Sequence, residues 1–304
     1  MDERQRSGLS EIIPGGTAFD SPMDRVTAYR VGGKAEALCC PGELPVLKRL
    51  LHYLYTERIP WVVVGKCSNL LVGDKGIKGA VIILRDRLAS VEQEGTEARE
   101  LIVGGGLSVA DLLSYCRING LSGIEFMAGI PGTLGGAVFM NAGAWGLDMG
   151  SVVMGVMTVN KNGEQIIFKE GDLKFSYRAS SIPEETVIYG AGIRLQRGDS
   201  DRIAEMIAVN LKRKKEKQPL DYPSAGSVFK NPPGDYAGRL IEKAGLKGAR
   251  IGGAMISQKH GNFIVNTGGA RASDILALME LAGARVKEET GITLETEIKI
   301  LGEF

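Results

Sequence analysis

In the first half of the chain, apolar runs typical of strands alternate with segments whose apolar residues recur at helical spacing. Residues 42–59 show the helical spacing, and the continuous apolar run 61–64 that follows predicts a buried strand. Further strands are predicted at 80–85, 100–104, 152–160, 164–170 and 186–196. A helix is predicted over 108–120, with Ser108 as its N-cap and Gly120 as its stop. Such alternation indicates an α/β or α+β protein.

The pattern changes near residue 199. One helix is predicted over 200–217, ended by Pro219, and another over 236–244, ended by Gly245. Strands at 253–257 and 262–266, a helix from Ser273 to Gly291 and a last strand at 293–301 follow. We therefore predict a flexible N-terminus (1–20), a first domain (21–198) and a second, smaller α/β domain (199–304).

One segment, residues 126–147, is long and uncharged enough to raise the question of a membrane helix. It contains six glycines, Pro131 and Asn141, which are poor helix formers. We favour a Gly-rich loop around a ligand, because glycine lets backbone approach a bound molecule closely.

Composition narrows the class further. Glycine accounts for 42 of 304 residues, about twice the usual ~7%. A net charge of +1 argues against nucleic acid or an anionic membrane as the main partner. The N-terminus lacks the apolar core of a signal peptide. The four cysteines, Cys39, Cys40, Cys67 and Cys116, show no zinc-ligand spacing, so we expect reduced thiols, no metal site and a cytoplasmic protein.

Two glycine-rich clusters are candidate nucleotide-binding loops. No P-loop is present, and the glycines at 104–106 do not complete the GxGxxG fingerprint, so a tight turn is favoured there. Residues 65–69 leave a predicted strand and could present backbone N–H groups to a phosphate, although a plain turn is the alternative. Residues 128–136, continuing to 141–143, form the second cluster. Two such loops fit a dinucleotide laid along exposed backbone.

Three side chains are candidates for chemistry. Arg178 follows an aromatic segment and could clamp a carboxylate, or it could be an ordinary surface arginine. Ser227 lies in a Gly-Ser context without the GxSxG of a serine hydrolase, and a turn residue is the simpler interpretation. Glu297 falls on the polar face of the last predicted strand, where spacing alone favours a solvent-exposed position.

Seven segments, in this order, resemble the UDP-N-acetylenolpyruvoylglucosamine reductase family, flavoenzymes of bacterial peptidoglycan synthesis. The resemblance runs from about Val26 to the C-terminus and is carried by residues 30–35, 68–72, 129–143, 175–178, 225–232, 259–263 and 294–297. The segment after Arg178 is short, so the chain resembles the subclass that lacks an inserted tyrosine-bearing loop.

The resemblance implies a PCMH-type FAD-binding domain followed by the smaller α/β substrate-binding domain. It also implies the reaction, in which NADPH reduces FAD and UDP-N-acetylglucosamine enolpyruvate is then reduced to UDP-N-acetylmuramate. NADPH and the sugar nucleotide would use one cleft in turn. No nucleic acid or membrane partner is implied, and we expect a monomer.

The resemblance also implies roles for individual residues. Ser227 corresponds to the proton donor, and Arg178 and Glu297 correspond to the pair that stabilises the enol-type intermediate. Substrate-binding positions are Lys217, Asn231 and Tyr177. The FAD-binding positions are Gly65, Lys66, Cys67, Ser68, Asn69, Leu70, Gly129, Ile130, Pro131, Gly132, Gly135, Gly136, Asn141, Ala142 and Gly143.

Cys67 departs from the family pattern, which has glycine there. If the position requires a positive φ, cysteine costs on the order of 1 kcal/mol or more. Two alternatives stay open at this point: another PCMH-type FAD oxidoreductase, and a paralogue that binds flavin or UDP-sugar without turnover.

Overall fold

A computed structural model describes residues 1–94 and 99–304 of the chain. In this part of the chain, seven α-helices are present: α1 (Glu3–Ile12), α2 (Leu44–Thr56), α3 (Val109–Ile118), α4 (Leu134–Phe139), α5 (Ser200–Lys217), α6 (Ala237–Lys243) and α7 (Ala272–Thr290).

The strands are short, and the longest are β11 and β15. In chain order they are β1 (Thr17–Pro22), β2 (Lys34–Cys39), β3 (Trp61–Val63), β4 (Leu70–Val72), β5 (Ile77–Ile82), β6 (Val91–Glu94), β7 (Glu100–Gly104), β8 (Leu121–Ser122), β9 (Gly143–Ala144), β10 (Leu147–Asp148), β11 (Val153–Asn160), β12 (Gln165–Lys169), β13 (Phe175–Ser176), β14 (Ala179–Ser180), β15 (Thr186–Arg194), β16 (Gln196–Arg197), β17 (Arg250–Ile251), β18 (Ala254–Ile256), β19 (Ile264–Asn266) and β20 (Lys299–Leu301).

The chain forms two compact units, neither of which is continuous in sequence. Unit 1 comprises residues 1–19, 37–66 and 79–212, and unit 2 comprises residues 20–36, 67–78 and 213–304. The predicted domains, 21–198 and 199–304, are continuous stretches. The contacts of the two short segments 20–36 and 67–78 assign them to the same unit as the C-terminal part. Sequence order does not reveal this membership.

Unit 1 is built around an antiparallel sheet of five strands in the order β12-β11-β15-β7-β6. Its buried face packs with α3 and α4 in a core that includes Leu101, Leu112 and Ile193. A second core lies under α2, whose buried residues, Leu47, Leu50, Leu51 and Leu54, show the predicted helical spacing. In that region β3 pairs in parallel with β5, within a sheet of order β1-β2-β5-β3.

Unit 2 contains an antiparallel sheet of order β17-β18-β19, with α6 and α7 packed around its own core. Its second pairing joins strands that are far apart in sequence, because β20 runs parallel to β4 with Ile300 opposite Leu71. Gly73 N–H then donates to Leu301 O at 2.9 Å, which extends the ladder. The segment 67–78 is thereby held in unit 2.

The expected flexible N-terminus is instead a helix. Asp2 and Gln5 form a capping box at the start of α1, and Leu9 is fully buried. The apolar residues of this segment are sparse, so their spacing does not indicate a helix. Burial of Leu9 and Ile13 in the core under α2 accounts for its stability.

Local signals predicted several elements well. Helix α5 has the predicted bounds, Ser108 accepts a hydrogen bond from Asp111 N as the N-cap of α3, and Gly291 ends α7 with φ 73°. The uncharged segment 126–147 contains a short helix, α4, that was not predicted. Among the described residues, no helix is both long and apolar enough to cross a membrane.

Candidate active site

The two glycine-rich clusters meet within unit 1 where residues 129–133 precede α4. A Cβ on Gly65 would lie 2.5 Å from Thr133 Oγ1, so the end of the first cluster packs directly against the N-cap of α4. Gly129 and Gly132 have φ of 72° and 148°, which other residues rarely adopt. Gly65 of the first cluster and Thr133 of the second are therefore in contact.

This loop has the properties of a backbone cradle for a nucleotide. Gly129, Pro131 and Gly136 are exposed, and a Cβ on Gly136 would meet only Thr133 Oγ1, at 3.7 Å. The open space beside Gly136 lets a ligand approach the main chain closely there. The residues present therefore fit a dinucleotide cofactor. Gly143 differs: it is buried, and a Cβ there would lie 2.3 Å from Leu147 O, so it serves the β9–β10 hairpin.

Asn141 uses its side chain within the protein. It is 1% exposed, has φ 42°, donates from Nδ2 to Ser176 O at 2.9 Å and accepts from Gly150 N–H at 2.9 Å. Ser180 Oγ adds a bond of 2.7 Å to Phe139 O. Asn141 thus ties the β13–β14 hairpin to the segment after α4, which the motif alone did not indicate.

Arg178 lies in the turn of that hairpin. Ser176 pairs with Ala179, which leaves Tyr177 and Arg178 as the two connecting residues. Arg178 has φ 56°, and its guanidinium carbon is 5.3 Å from the centroid of the half-exposed Tyr177 ring. A non-glycine residue in this conformation costs of order 1–3 kcal/mol and is typical of functional sites.

Cys67, which lies in unit 2 and replaces the glycine of the family pattern, has a left-handed backbone conformation. Its φ is 49°, and its side chain is 2% exposed. The positive φ on which the expected cost of cysteine depends is therefore present. Burial raises the pKa of the Cys67 thiol to about 11, so the group is a neutral thiol at pH 7.

Asn69 contacts the segment that carries Glu297. Its Nδ2 donates to Glu297 O at 3.1 Å, and its own carbonyl accepts from Lys299 N–H at 3.0 Å. Both residues are in unit 2. The amide that the resemblance assigns to FAD thus also holds the backbone of a predicted catalytic residue.

Ser227 and Glu297 lie on two segments of the chain that run side by side. Glu297 N–H donates to Val228 O at 2.8 Å, and Phe229 forms an antiparallel bridge with Thr296. Gly226, which precedes the serine, has φ 79° and open space where a Cβ would be. Of the three predicted catalytic residues, the structure therefore brings these two together in one unit, while Arg178 belongs to unit 1.

A cavity of about 360 Å³ opens beside Ser227 in unit 2. Asn231 and His260 also line it. Asn231 Oδ1 accepts from Ala237 N–H at 3.1 Å, at the start of α6. Burial, followed by the charge of Lys247, lowers the pKa of His260, so its ring is neutral at pH 7. His260 thus contributes a neutral ring to the wall of this cavity.

The basic end of α5 contains a residue that sequence reasoning overlooked. Lys217, the predicted substrate ligand, is exposed, whereas Lys214 is 8% exposed. Lys214 continues a series formed by the buried Ile203, the partly buried Ile207 and the buried Asn210, which recur every three or four residues. That periodicity was the signal that would have singled it out. Within residues 1–94 and 99–304, no group of three His, Cys, Asp or Glu side chains could hold a metal ion.

Comparison with known proteins finds two domain families in the chain. Residues 35–169 match an FAD binding domain, and residues 218–301 match the UDP-N-acetylenolpyruvoylglucosamine reductase C-terminal domain. Similar proteins are the UDP-N-acetylenolpyruvoylglucosamine reductases of Caldanaerobacter subterraneus subsp. tengcongensis, 45% identical with 97% of each chain covered, and of Bacillus pumilus, 39% identical with 99% of each covered.

Solved structures give the same result. The UDP-N-acetylenolpyruvylglucosamine reductase of Thermus caldophilus superposes with a TM-score of 0.80 at 36% identity, covering 94% of this chain and 98% of that one. An alkyldihydroxyacetonephosphate synthase, at 13% identity and a TM-score of 0.51 over 65% of this chain and 41% of that chain, shares the fold alone.

The fold and the match to an FAD binding domain define an FAD-dependent oxidoreductase. More particularly, the chain belongs to the UDP-N-acetylenolpyruvoylglucosamine reductase family, whose reaction is a step in peptidoglycan precursor synthesis. FAD is its cofactor and NADPH its co-substrate.

Proposed function

We propose that this chain reduces the enolpyruvyl group of UDP-N-acetylglucosamine enolpyruvate to give UDP-N-acetylmuramate, with Ser227 as proton donor and Arg178 and Glu297 as stabilising groups. The observation that carries this assignment is the 2.8 Å hydrogen bond from Glu297 N–H to Val228 O. This bond holds the segment that carries Ser227, the predicted proton donor, next to the segment that carries Glu297, the predicted carboxylate.

FAD is assigned to residues 129–136, of which Gly129, Pro131 and Gly136 are exposed, and to Gly65 and Lys66. When bound, the flavin supplies the hydride transfer from NADPH to the substrate. Ser68 and Leu70 remain predicted cofactor contacts. The FAD-binding match at 35–169 lies inside the predicted domain 21–198, and the match at 218–301 lies inside 199–304, which supports the proposed division of labour.

Ser227 supplies the proton that completes the reduction. Hydride addition to one carbon of the double bond leaves negative charge spread toward the substrate carboxylate. The Ser227 hydroxyl gives its proton to the other carbon, and solvent restores the hydroxyl proton. A serine hydroxyl is a weak acid, so its catalytic value depends on close placement. Its position between Gly226, whose φ is 79°, and the buried Val228 suits that requirement.

Arg178 and Glu297 stabilise charge and do not themselves form or break covalent bonds. A guanidinium held in a strained turn stabilises developing negative charge on the substrate carboxylate before that charge forms. Glu297 is held through its own backbone by Asn69 and Val228. We assign it to the enol-type intermediate.

Binding of the sugar nucleotide and of NADPH is assigned to Asn231, Lys217 and Tyr177. All three side chains reach solvent, and Asn231 lies at the cavity beside Ser227. None of the four cysteines is in a disulfide, which supports a cytoplasmic protein. We propose a monomer that acts on small molecules only.

Anaerobic stopped-flow absorbance at the flavin band tests the function. NADPH should bleach the bound flavin, and UDP-N-acetylglucosamine enolpyruvate should restore its colour. Recovery with oxygen alone would point to another PCMH-type oxidoreductase. Absence of a flavin signal after reconstitution with FAD would point to a paralogue without turnover.

Substitution of Ser227 tests the assignment of the proton donor. Ser227→Ala should leave flavin reduction by NADPH nearly unchanged and should slow reoxidation by the enolpyruvyl substrate by a factor of about 10² or more. Ser224→Ala, in the same loop, is the matched control and should change neither step. Equal slowing of both half-reactions would remove Ser227 from this role.

A further inference from the structure

The two residues that follow Ser227 have every backbone polar group hydrogen-bonded, and Asn262 is the partner of three of these four groups. Val228 N–H donates to Asn262 O at 2.9 Å, and Phe229 N–H donates to Asn262 Oδ1 at 2.9 Å. Asn262 Nδ2 in turn donates to Phe229 O at 2.7 Å. The remaining group, Val228 O, accepts from Glu297 N–H.

Asn262 therefore replaces a neighbouring strand. Its amide pairs with both the N–H and the C=O of Phe229, an arrangement that needs one donor and one acceptor in a single plane. The side chain is 3% exposed, and Val228 and Phe229 are 1% and 4% exposed. In such surroundings a lost partner leaves a buried polar group unsatisfied, so the segment has few alternative positions.

Asn262 is itself held in place by His260 and by close packing of its turn against α6. Its N–H donates to His260 Nδ1 at 3.2 Å, and the His260 ring packs edge-to-face on Phe263 with 4.9 Å between centroids. Two glycines allow this turn to lie against α6: a Cβ on Gly261 would lie 2.6 Å from Gly238 O, and one on Gly238 would lie 3.0 Å from His260 Cε1.

We propose that Asn262 is the positioning residue that fixes Ser227 for proton transfer. It acts through the backbone of Val228 and Phe229 and does not touch the reacting atoms. The proposal rests on the proposed role of Ser227. Misplacement of a reacting group by about 1 Å can slow a reaction by a factor of about 10². The hydrogen bonds from Asn262 to this segment should therefore affect the rate of proton transfer directly.

Asn262→Asp tests this most sharply. The carboxylate still accepts from Phe229 N–H but repels Phe229 O. We expect flavin reoxidation by the enolpyruvyl substrate to slow about tenfold or more, with flavin reduction by NADPH within about twofold of wild type. Protonation of the new carboxyl restores a donor, so the reoxidation rate relative to wild type should recover as the pH falls.

A double-mutant cycle separates positioning from general structural damage. In a Ser227→Ala background, Asn262→Asp should slow reoxidation by less than about twofold, because the group it positions is already gone. Full additivity of the two substitutions, or equal slowing of both half-reactions, would overturn the proposal. Wild-type reoxidation by Ser227→Ala alone would instead overturn the proposed role of Ser227.

Asn266→Asp is the matched control. Asn266 is likewise buried in unit 2 and uses its amide on backbone, donating to Tyr29 O at 2.9 Å and accepting from Gly268 N–H at 2.9 Å. It should lower the unfolding midpoint and leave both half-reactions unchanged. If Asn262→Asp does not fold with FAD, Asn262→Ser, which replaces the amide by a single hydroxyl, should show the same selective loss. An unselective loss there would count against the proposal.

Discussion

Cys67 shows how one side chain can oppose the backbone conformation that its position requires. A left-handed φ costs a non-glycine residue roughly 1–2 kcal/mol, because Cβ approaches the following carbonyl. The thiol is almost wholly buried, so its packing offsets part of that cost. The two effects can be separated by removing first the sulfur and then the Cβ.

We expect Cys67→Ala to lower the free energy of unfolding, since it loses the buried sulfur and keeps the strain. Cys67→Gly should be more stable than Cys67→Ala by about 1 kcal/mol, the reverse of the usual order of these residues. FAD affinity, measured by flavin fluorescence titration, should be kept or tightened in the glycine variant. Loss of FAD on Cys67→Gly with normal binding by Cys67→Ala would refute this account.

The sequence predicted which residue types form the site, but it could not supply the partners of their side chains. Asn69 and Asn141 stand in glycine-rich motifs and were assigned to the cofactor. In the structure, Asn69 bonds to Glu297, 228 residues away, and Asn141 bonds to Ser176, 35 residues away. Hydrogen bonds over such separations depend on the complete fold and leave no local pattern.

Among the elements, α7 illustrates a helix whose N-terminus is completed by another part of the chain. Asp74 Oδ1 accepts from Ala272 N–H at 2.8 Å, and Oδ2 accepts from Ser273 N–H at 3.1 Å. Burial alone would raise the pKa of the Asp74 carboxyl. The hydrogen bonds from Ser273 and Ala272 and the charge of Arg271 outweigh it and lower that pKa.

Asp74→Asn should therefore destabilise the protein at pH 7 by about 1–2 kcal/mol, through loss of a charged cap. A depressed carboxyl pKa stabilises the fold above the unfolded value of about 3.9, and this contribution is lost as the pH falls through the folded pKa. The gap between wild type and variant in urea unfolding should thus shrink toward pH 3. A gap that is constant with pH would exclude the charge as its cause.

Asp199→Asn provides the control for removing one capping charge. Asp199 is exposed and caps α5 locally, accepting from Asp201 N–H and Arg202 N–H. Its substitution should cost less than that of Asp74, because water replaces the lost bonds at an exposed site.

The helices and the last strand differ in how far they were predictable. Helix α5 and the end of α7 were predicted because their signals, Pro219 and Gly291, are local. The last strand was predicted over 293–301, and β20 covers only Lys299–Leu301. The preceding residues contact Val228 and Phe229, a pairing that no periodicity encodes.

At the scale of the whole molecule, the discontinuous units depend on a few backbone bonds between distant segments. Lys299 is exposed, and its N–H donates to Asn69 O at 3.0 Å at the start of the β4–β20 pairing. The side chain at 299 is therefore of little consequence for packing, whereas its amide holds the segment 67–78 in unit 2.

Lys299→Pro should lower the free energy of unfolding by about 1–3 kcal/mol, because proline cannot donate this bond. Lys299→Ala keeps the amide and should be close to wild type. Chemical denaturation of both variants measures the difference. Equal stability of the two would show that the β4–β20 pairing contributes nothing measurable.

The pairing of β4 with β20 also sets an order of events during protein synthesis. Asn69 emerges from the ribosome 228 residues ahead of Glu297, whose carbonyl accepts the hydrogen bond from the Asn69 side chain. At about 5–20 residues per second, that interval is on the order of 10–50 s. For that time the strand 70–72 has no partner strand in the nascent chain, and its open edge is a place where misassembly can begin. The rate of translation, and the factors that shield emerging chains, therefore bear on the yield of this enzyme as directly as its final stability does.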